Sequence, residues 1–240
     1  MRKKTKIICT IGPASESPAV LKKLVKGGAN VFRLNFSHGD HEEHAKRIQD
    51  IQTLRKEMNM PIGIMLDTKG PEIRIKTFQQ TPVELAEGDT FTLTTRDVEG
   101  TKEIVSITYE GLPQDVQPGT VILIDDGLVA MEVLEVKDGT DIVCKVKNGG
   151  QLSNRKGVNV PGVDVKLPSI TEKDIDDILF GIQQGIDFIA ASFIRKAQDV
   201  LEIRQLLQEN GGEGIQIISK IENKEGVDNI EEIMDASDGI

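Results

Sequence analysis

The sequence predicts an α/β fold that is interrupted by an all-β segment. Helix-like and strand-like patterns alternate near both ends of the chain, whereas residues 71–169 carry only short strand-like runs separated by turn signals. Alternation of this kind is typical of a parallel sheet with crossover helices. With 240 residues, 38% of them hydrophobic, the chain is long enough for a large domain and a small one.

The first part of the chain has the pattern β-α-β-α-β. Ser17-Pro18 predicts the start of one helix and Gly27-Gly28 its end, and Asp40 followed by Glu43 predicts the start of a second helix. Because crossovers between parallel strands are short and right-handed, we expect the strands to share one sheet. These strands are predicted at 7–11, 31–36 and 62–66.

The middle segment changes in texture. Turn signals such as Asp125-Asp126-Gly127 and Lys137-Asp138-Gly139 separate its apolar runs, and no helix-length pattern interrupts them. We therefore expect residues 71–169 to form an inserted all-β domain, either a sandwich or a barrel. Its strands are predicted at 90–95, 104–108, 121–124, 128–136 and 142–146.

The α/β pattern resumes afterwards, so residues 1–70 and 170–240 are predicted to form one domain. It would hold about five βα units, or five-eighths of a (β/α)₈ barrel. Because Asp238-Gly239-Ile240 looks like the opening of another strand, we expect this barrel to be incomplete in the chain. The later elements are a helix capped by Thr171, strands at 188–194 and 215–221, a helix at 197–208 and a helix carrying Val227, Ile230 and Ile233.

The composition argues against several classes of function. Asp and Glu (39) outnumber Lys and Arg (29), and the net charge of −10 disfavours a general nucleic-acid surface because it repels phosphate. Cys9 and Cys144 lack a metal-binding spacing and suit a reducing compartment. The apolar stretch near the N-terminus is too short to span a membrane. We therefore expect a soluble, cytoplasmic protein with no nucleic-acid or membrane partner.

Polar side chains follow or end three of the predicted strands, at the edge where parallel α/β proteins place their chemistry. Charged groups inside a sheet need partners, so their recurrence at one edge predicts a binding site. The residues are Arg33, Asn35 and Ser37 on the second strand, Asp67 and Thr68 after the third, and Lys220 and Glu222 on the fifth, whose apolar run is at 215–221.

These residue types suit phosphate groups and metal ions. The guanidinium groups of Arg33 and Arg74 can each hold a phosphoryl or carboxylate group through two hydrogen bonds. Lys220 supplies an ammonium group for developing negative charge, and Glu222 a carboxylate for a divalent cation. The other four side chains offer hard oxygen ligands for an alkali or alkaline-earth cation. They are Asn35, Ser37, Asp67 and Thr68.

A zinc site and a P-loop are both disfavoured by the sequence. His38, His41 and His44 suggest zinc, but their spacing of three lacks the register that places two histidines on one helix face. We favour the interpretation that these histidines lie on the protein surface at the N-terminus of a helix. The sequence lacks a G-x-x-x-x-G-K motif, which excludes a P-loop kinase.

Several long segments resemble the pyruvate kinase family, and especially its bacterial members. They occur in the family's order and cover the whole chain. The resemblance implies a (β/α)₈ TIM barrel with a small β-barrel lid domain inserted after strand three. The segments are 5–15 (TKIICTIGPAS), 33–39 (RLNFSHG), 66–74 (LDTKGPEIR), 156–162 (KGVNVPG), 170–174 (ITEKD) and 220–223 (KIEN).

The resemblance also implies an activity and its residues. The reaction would be glycolytic transfer of phosphate from phosphoenolpyruvate to ADP, giving pyruvate and ATP, with Mg²⁺ (or Mn²⁺) and K⁺, in a homotetramer. Lys220 and Arg74 would be catalytic, Arg33 would bind the substrate phosphate and Glu222 would bind Mg²⁺. K⁺ would be held by Asn35, Ser37, Asp67 and Thr68, and the nucleotide by Asn35, Ser37, His38, Arg74 and Lys156.

The chain departs from the family pattern at a few places. Phe32 stands where the family has a small residue, and Ser219 where it has Ala or Pro; we expect both to be tolerated. The family's second Mg²⁺-binding aspartate, a substrate-binding threonine and the C-terminal domain are expected beyond Ile240. Two alternatives stay open: a non-catalytic nucleotide- or partner-binding module, and another Mg²⁺-dependent, enolate-forming barrel enzyme such as an aldolase.

Overall fold

The computed structural model describes residues 4–163 and 165–240, which divide into two compact units. One unit consists of Met1–Pro71 and Pro168–Ile240, and the other of Glu72–Leu167. Each unit has its own hydrophobic core. Residues 1–3 of the predicted range 1–70 and residue 164 of the predicted range 71–169 lie outside the described residues.

Strands and helices alternate in the first unit, and strands predominate in the second. In chain order the described strands are β1 (Ile8–Thr10), β2 (Val31–Asn35), β3 (Gly63–Asp67), β4 (Ile73–Arg74), β5 (Val83–Leu85), β6 (Thr90–Thr94), β7 (Ile104–Ser106), β8 (Val121–Ile124), β9 (Val129–Lys137), β10 (Asp141–Asn148), β11 (Gly150–Leu152), β12 (Gly157–Asn159), β13 (Phe188–Ala191) and β14 (Gln216–Ser219). The described helices are α1 (Pro18–Lys26), α2 (His41–Met58), α3 (Leu112–Asp115), α4 (Glu172–Gln184), α5 (Ala197–Glu209), α6 (Lys224–Asp228) and α7 (Ile230–Ala236).

The sheet of the first unit is parallel, with the strand order β1-β2-β3-β13-β14. Each strand therefore lies beside the next strand of the same unit along the chain. Asn35 pairs in register with Asp67, which brings the carboxyl ends of β2 and β3 side by side. All five strands present their carboxyl ends at one edge of the sheet, as the α/β pattern predicts.

Local capping explains where the helices begin. The Asp40 side chain accepts a hydrogen bond from the Glu43 amide (2.9 Å), which starts α2 as predicted. Thr171 and Asp174 form a reciprocal capping box at the start of α4. Pro18 opens α1 and Gly27 follows its last residue, also as predicted, although the Ser17 side chain makes no capping hydrogen bond.

Several details of the predicted elements are wrong, among them the strand predicted at 188–194, which ends at Ala191. The last predicted helix is two helices, α6 and α7, which are separated at Asn229; the Asn223 side chain caps the start of α6 by accepting from the Gly226 amide (2.7 Å), and Val227, on α6, is 60% exposed. The strand predicted at 215–221 ends at Ser219. In the second unit, Pro113 sits in the first turn of a short helix, α3, that the strand pattern did not indicate.

Both unusual residues of the first unit are accommodated by packing. Phe32 is fully buried in the core among the aliphatic side chains that line the sheet. Ser219 is 1% exposed, and its hydroxyl lies 2.6 Å from that of Ser237, so its polar group has a partner.

The second unit holds a seven-stranded sheet in the order β4-β12-β8-β9-β10-β6-β7 and a two-stranded sheet, β11-β5. Most of its pairings are antiparallel, whereas β6 and β7 run parallel. None of the described helices, in either unit, combines the length and the apolar character needed to cross a bilayer.

Candidate active site

The carboxylate of Asp67 is the centre of a charge cluster in the first unit. It ends β3, and only 2% of its side chain is exposed. Arg33, on the neighbouring strand β2, donates from Nε to Asp67 Oδ2 (2.6 Å) and also contacts that oxygen through Nη2. Arg33 Nη1 donates to the Thr10 hydroxyl (2.8 Å), so the side chain bridges the ends of three strands. The arrangement holds the guanidinium group in one orientation.

Lys220, which follows β14, reaches the same carboxylate across the intervening strand β13. Its Nζ donates to Asp67 Oδ1 (3.0 Å) and to Ser192 Oγ (2.8 Å). The Ser192 hydroxyl in turn donates to the Thr68 carbonyl (2.6 Å), and the Ser192 amide donates to the Thr68 hydroxyl (3.0 Å). The predicted residues Arg33, Asp67, Thr68 and Lys220 therefore belong to one hydrogen-bonded network.

Lys220 and Glu222 both follow β14, which ends at Ser219, and neither lies on the strand as predicted. Glu222 Oε1 is 3.3 Å from Lys220 Nζ, and Glu222 Oε2 accepts from the Phe193 amide (3.0 Å). Phe193 has φ of +58°, which is strained for a bulky side chain and is common at functional sites. One third of the Glu222 side chain is exposed (33%), so the carboxylate is accessible from solvent.

The turn after β2 carries the remaining first-unit residues of the prediction. The Asn35 side chain accepts from the Ser37 amide (3.0 Å), and its backbone carbonyl accepts from the His38 amide (3.3 Å). Ser37 and His38 are exposed, whereas the Phe36 amide donates to the Asp67 carbonyl (3.0 Å). The turn is thus tied to the end of β3, where Asp67 and Thr68 lie.

Arg74 and Lys156 belong to the second unit, and each is paired with a carboxylate there. Arg74 Nε donates to Glu72 Oε1 (2.6 Å) and its Nη1 to the Arg155 carbonyl (2.6 Å). The hydrogen bond that Arg74 donates to Glu72 raises the pKa of Arg74 above its ordinary value. Lys156 Nζ lies 3.0 Å from Asp125 Oδ1.

The oxygen atoms at the edge of the sheet fit hard cations. Asp67 contacts two nitrogens of Arg33 through Oδ2 and Lys220 through Oδ1; because a carboxylate offers about four lone-pair positions, Oδ1 keeps capacity for one more ligand. The solvent-accessible carboxylate of Glu222 fits one ligand of a divalent cation. Within 4–163 and 165–240, no group of three or more His, Cys, Asp and Glu side chains comes together.

Sequence reasoning missed Ser192, which links Lys220 to Thr68. The strand-end rule could have found it, because Ser192 directly follows β13 as Asp67 ends β3. Thr10, at the end of β1, was missed as well. Both residues are small and neutral, so they gave a weaker signal than the charged residues.

Comparison with known proteins identifies the family of the chain. The family model for the barrel domain of pyruvate kinase matches residues 2–240. The chain belongs to the pyruvate kinase family. The resemblance in the sequence is therefore confirmed, as is an α/β unit of the barrel-domain class.

Individual pyruvate kinases are similar over nearly the entire chain. Those of Bacillus licheniformis and Geobacillus stearothermophilus are each 57% identical, over 239 and 241 residues, and that of Staphylococcus aureus is 52% identical over 239. The alignments cover 99–100% of this chain but 41% of the Bacillus and Geobacillus proteins. The chain thus spans about two-fifths of the length of these pyruvate kinases.

Proposed function

We propose that this chain forms the N-terminal part of a pyruvate kinase that transfers the phosphoryl group of phosphoenolpyruvate to ADP. The observation that carries the proposal is the convergence of Arg33 and Lys220 on the buried Asp67 carboxylate, at the carboxyl edge of a parallel sheet. Membership of the family supports the same reaction. Both cations are held in place before a substrate arrives, so little reorganisation is needed when charge develops.

The reaction brings two anions together, and the proposed cations offset their repulsion. A β-phosphate oxygen of ADP attacks the phosphorus of phosphoenolpyruvate, the bond from phosphorus to the enol oxygen breaks, and the resulting enolate takes a proton at carbon to give pyruvate. Arg33 binds the substrate phosphate. Lys220 stabilises the negative charge that spreads over the phosphoryl group and the enolate oxygen.

The two proposed metal ions, one divalent and one monovalent, have different protein ligands. Glu222 supplies one oxygen ligand for Mg²⁺ (or Mn²⁺), and the cluster after β2 and β3 holds K⁺. When bound, the metal ions neutralise phosphate charge and orient the two substrates. The K⁺ ligands in this proposal are Asn35, Ser37, Asp67 and Thr68.

The second unit is proposed to be the inserted lid domain, matching residues 71–169, and Arg74 and Lys156 would bind phosphoryl groups of the nucleotide. The guanidinium group of Arg74 is cationic at physiological pH and is oriented by Glu72 and the Arg155 carbonyl, which suits contact with phosphate. Asn35, Ser37 and His38 complete the proposed nucleotide contacts. The whole protein is proposed to close an eight-stranded barrel with residues 1–70 and 170–240, to form a homotetramer and to act in the cytoplasm.

The alternatives from the sequence are less well supported. Identities of 52–57% to pyruvate kinases over almost the entire chain favour phosphoryl transfer over an aldolase reaction. A non-catalytic binding module would have no need of a lysine held between Asp67 and Glu222.

The test replaces Lys220 in the protein made from the complete reading frame. Lys220→Ala is expected to lower kcat by at least about 10²–10³, because one preorganised electrostatic group is removed. Lys46→Met, at an exposed position on α2, serves as the matched control and should retain wild-type turnover. Near-normal phosphoryl transfer by Lys220→Ala would overturn the assignment, and retro-aldol activity in the wild type would favour the alternative enzyme class.

A further inference from the structure

The first turn of α4 contacts the turn after β2 through a lysine. Lys173 Nζ donates to the Phe36 carbonyl (3.1 Å) and to Asp177 Oδ2 (2.6 Å). Asp177 is 2% exposed, and its other oxygen lies 2.8 Å from His41 Nε2 at the start of α2. Lys173 therefore makes an i,i+4 ion pair within α4 and, beyond it, a hydrogen bond to a carbonyl outside the helix, although the helix dipole disfavours a cation in the first turn.

The next residue of α4 contacts the loop after β3. Asp174 is fully buried, and its Oδ1 accepts from the Gly70 amide (3.0 Å). Its Oδ2 accepts from the amide and the hydroxyl of Thr171 (3.0 and 2.6 Å), which forms the capping box. Asp174 therefore ties the start of α4 to the end of the segment Asp67–Gly70 while it caps the helix.

The turn after β2 is held from a second helix as well. His44, on α2, lies with Nε2 2.9 Å from the His38 carbonyl, two residues beyond the carbonyl that Lys173 contacts. Its ring stacks on Phe36, with centroids 3.9 Å apart. The carbonyls of Phe36 and His38 are thus contacted from α4 and α2, with Ser37 between them and Asn35 directly before them.

We propose that Lys173 and Asp174 are positioning residues, which set the two loops that carry the oxygen ligands of the monovalent cation. Lys173 positions Asn35 and Ser37 through the Phe36 carbonyl, and Asp174 positions Asp67 and Thr68 through Gly70. One helix turn thereby fixes both halves of the ligand set relative to each other. The inference rests on the proposed K⁺ site, and it adds two residues that do not contact the ion themselves.

The experiment compares Lys173→Met with Asp176→Asn in the protein from the complete reading frame. The Lys173 side chain is about half exposed (49%), so its loss should leave the fold intact, and Asp176 is an exposed neighbour on the same helix. Hydrogen exchange measured by mass spectrometry reports on segments 35–38 and 67–70. The K⁺ concentration for half-maximal activity, and K⁺-dependent thermal stabilisation without substrate, report on the ion.

For Lys173→Met we expect faster exchange at 35–38, unchanged exchange in β13, and a K⁺ requirement raised about tenfold with kcat at saturating K⁺ retained within about twofold. Lys173→Arg, which can still donate to both oxygens, should restore most of the K⁺ affinity. Asp174→Asn should speed exchange at 67–70, whereas Asp176→Asn should match the wild type.

An unchanged K⁺ requirement in Lys173→Met would overturn the positioning role. A wild-type enzyme that does not respond to K⁺ would refute the proposed cation site itself.

Discussion

Lys220 Nζ lies 3.0 Å from Asp67 Oδ1, although 153 positions separate the two residues along the chain. The other Asp67 oxygen accepts from Arg33, so one buried carboxylate orients both cations of the proposed phosphate site. A buried carboxylate is tolerated when cationic partners and hydrogen bonds compensate for its loss of water, and Asp67 has both. The Asp67 carboxylate therefore partly neutralises Arg33 and Lys220 and also fixes where they lie.

Ser192→Ala should lower activity without changing the fold. The Ser192 hydroxyl accepts from Lys220 and donates to the Thr68 carbonyl, so its loss frees the ammonium group from one of its three contacts. We expect kcat to fall about tenfold, the cost of about one hydrogen bond to a charged group. Ser17→Ala is the matched control, because the Ser17 side chain makes no capping hydrogen bond. Equal kcat values for both variants would contradict this role of Ser192.

Gly70→Ala should be more damaging than Gly211→Ala, although both residues have left-handed backbone angles (φ +71° and +75°). Each substitution costs roughly 1–2 kcal/mol of unfolding free energy from the backbone alone. A β-carbon at position 70 would also lie 2.8 Å from the Ser192 β-carbon, whereas one at position 211 meets nothing within 4 Å. Urea unfolding should therefore show a loss larger by about 1–3 kcal/mol for Gly70→Ala. Similar losses would show that the contact with Ser192 is easily relieved.

Cys144 should resist alkylation in the native protein. Burial raises the pKa of its thiol from 9.0 to about 12, so only about 10⁻⁴ of it is thiolate at pH 8, and the side chain is inaccessible. Above pH 9 the unfolded chain loses this proton while the folded protein keeps it, and stability should decline as the pH rises further. Iodoacetamide labelling at pH 8, followed by peptide mass spectrometry, should modify the half-buried Cys9 first.

Rapid labelling of Cys144 without prior unfolding would contradict this expectation. Denaturation in urea provides the control, since both cysteines should then react at comparable rates. The comparison uses one protein sample and one reagent, so it isolates the effect of burial on the thiol.

Much of the local structure could be predicted because its causes lie within a few residues. The start of α2 follows from Asp40 and Glu43, and that of α4 from Thr171 and Asp174, which bond to each other across three positions. The five strands of the first unit were located from short apolar runs. The division into α6 and α7 could not be predicted in this way, because the spacing of Val227, Ile230 and Ile233 is the same in one helix as in two short ones.

The candidate site was predicted in part for a similar reason. Strands of a parallel sheet present their carboxyl ends at one edge, so charged residues that follow different strands are expected to meet there. That rule identified Arg33, Asp67 and Lys220 before any distance was known. It did not identify Ser192, since a single neutral hydroxyl after an apolar run is as common in ordinary turns as in sites.

The sequence alone determined the alternation of elements, the helix caps and the edge of the sheet at which the polar residues gather. Those properties depend on short-range spacing and on the family motifs, both of which can be read along the chain. Only the tertiary structure decided which partners meet: Lys220 with Asp67 and Ser192, and Lys173 and Asp174 with the turns after β2 and β3. The physical reason is that these contacts join segments 28 to 153 positions apart, and their distances are set by strand order and helix packing.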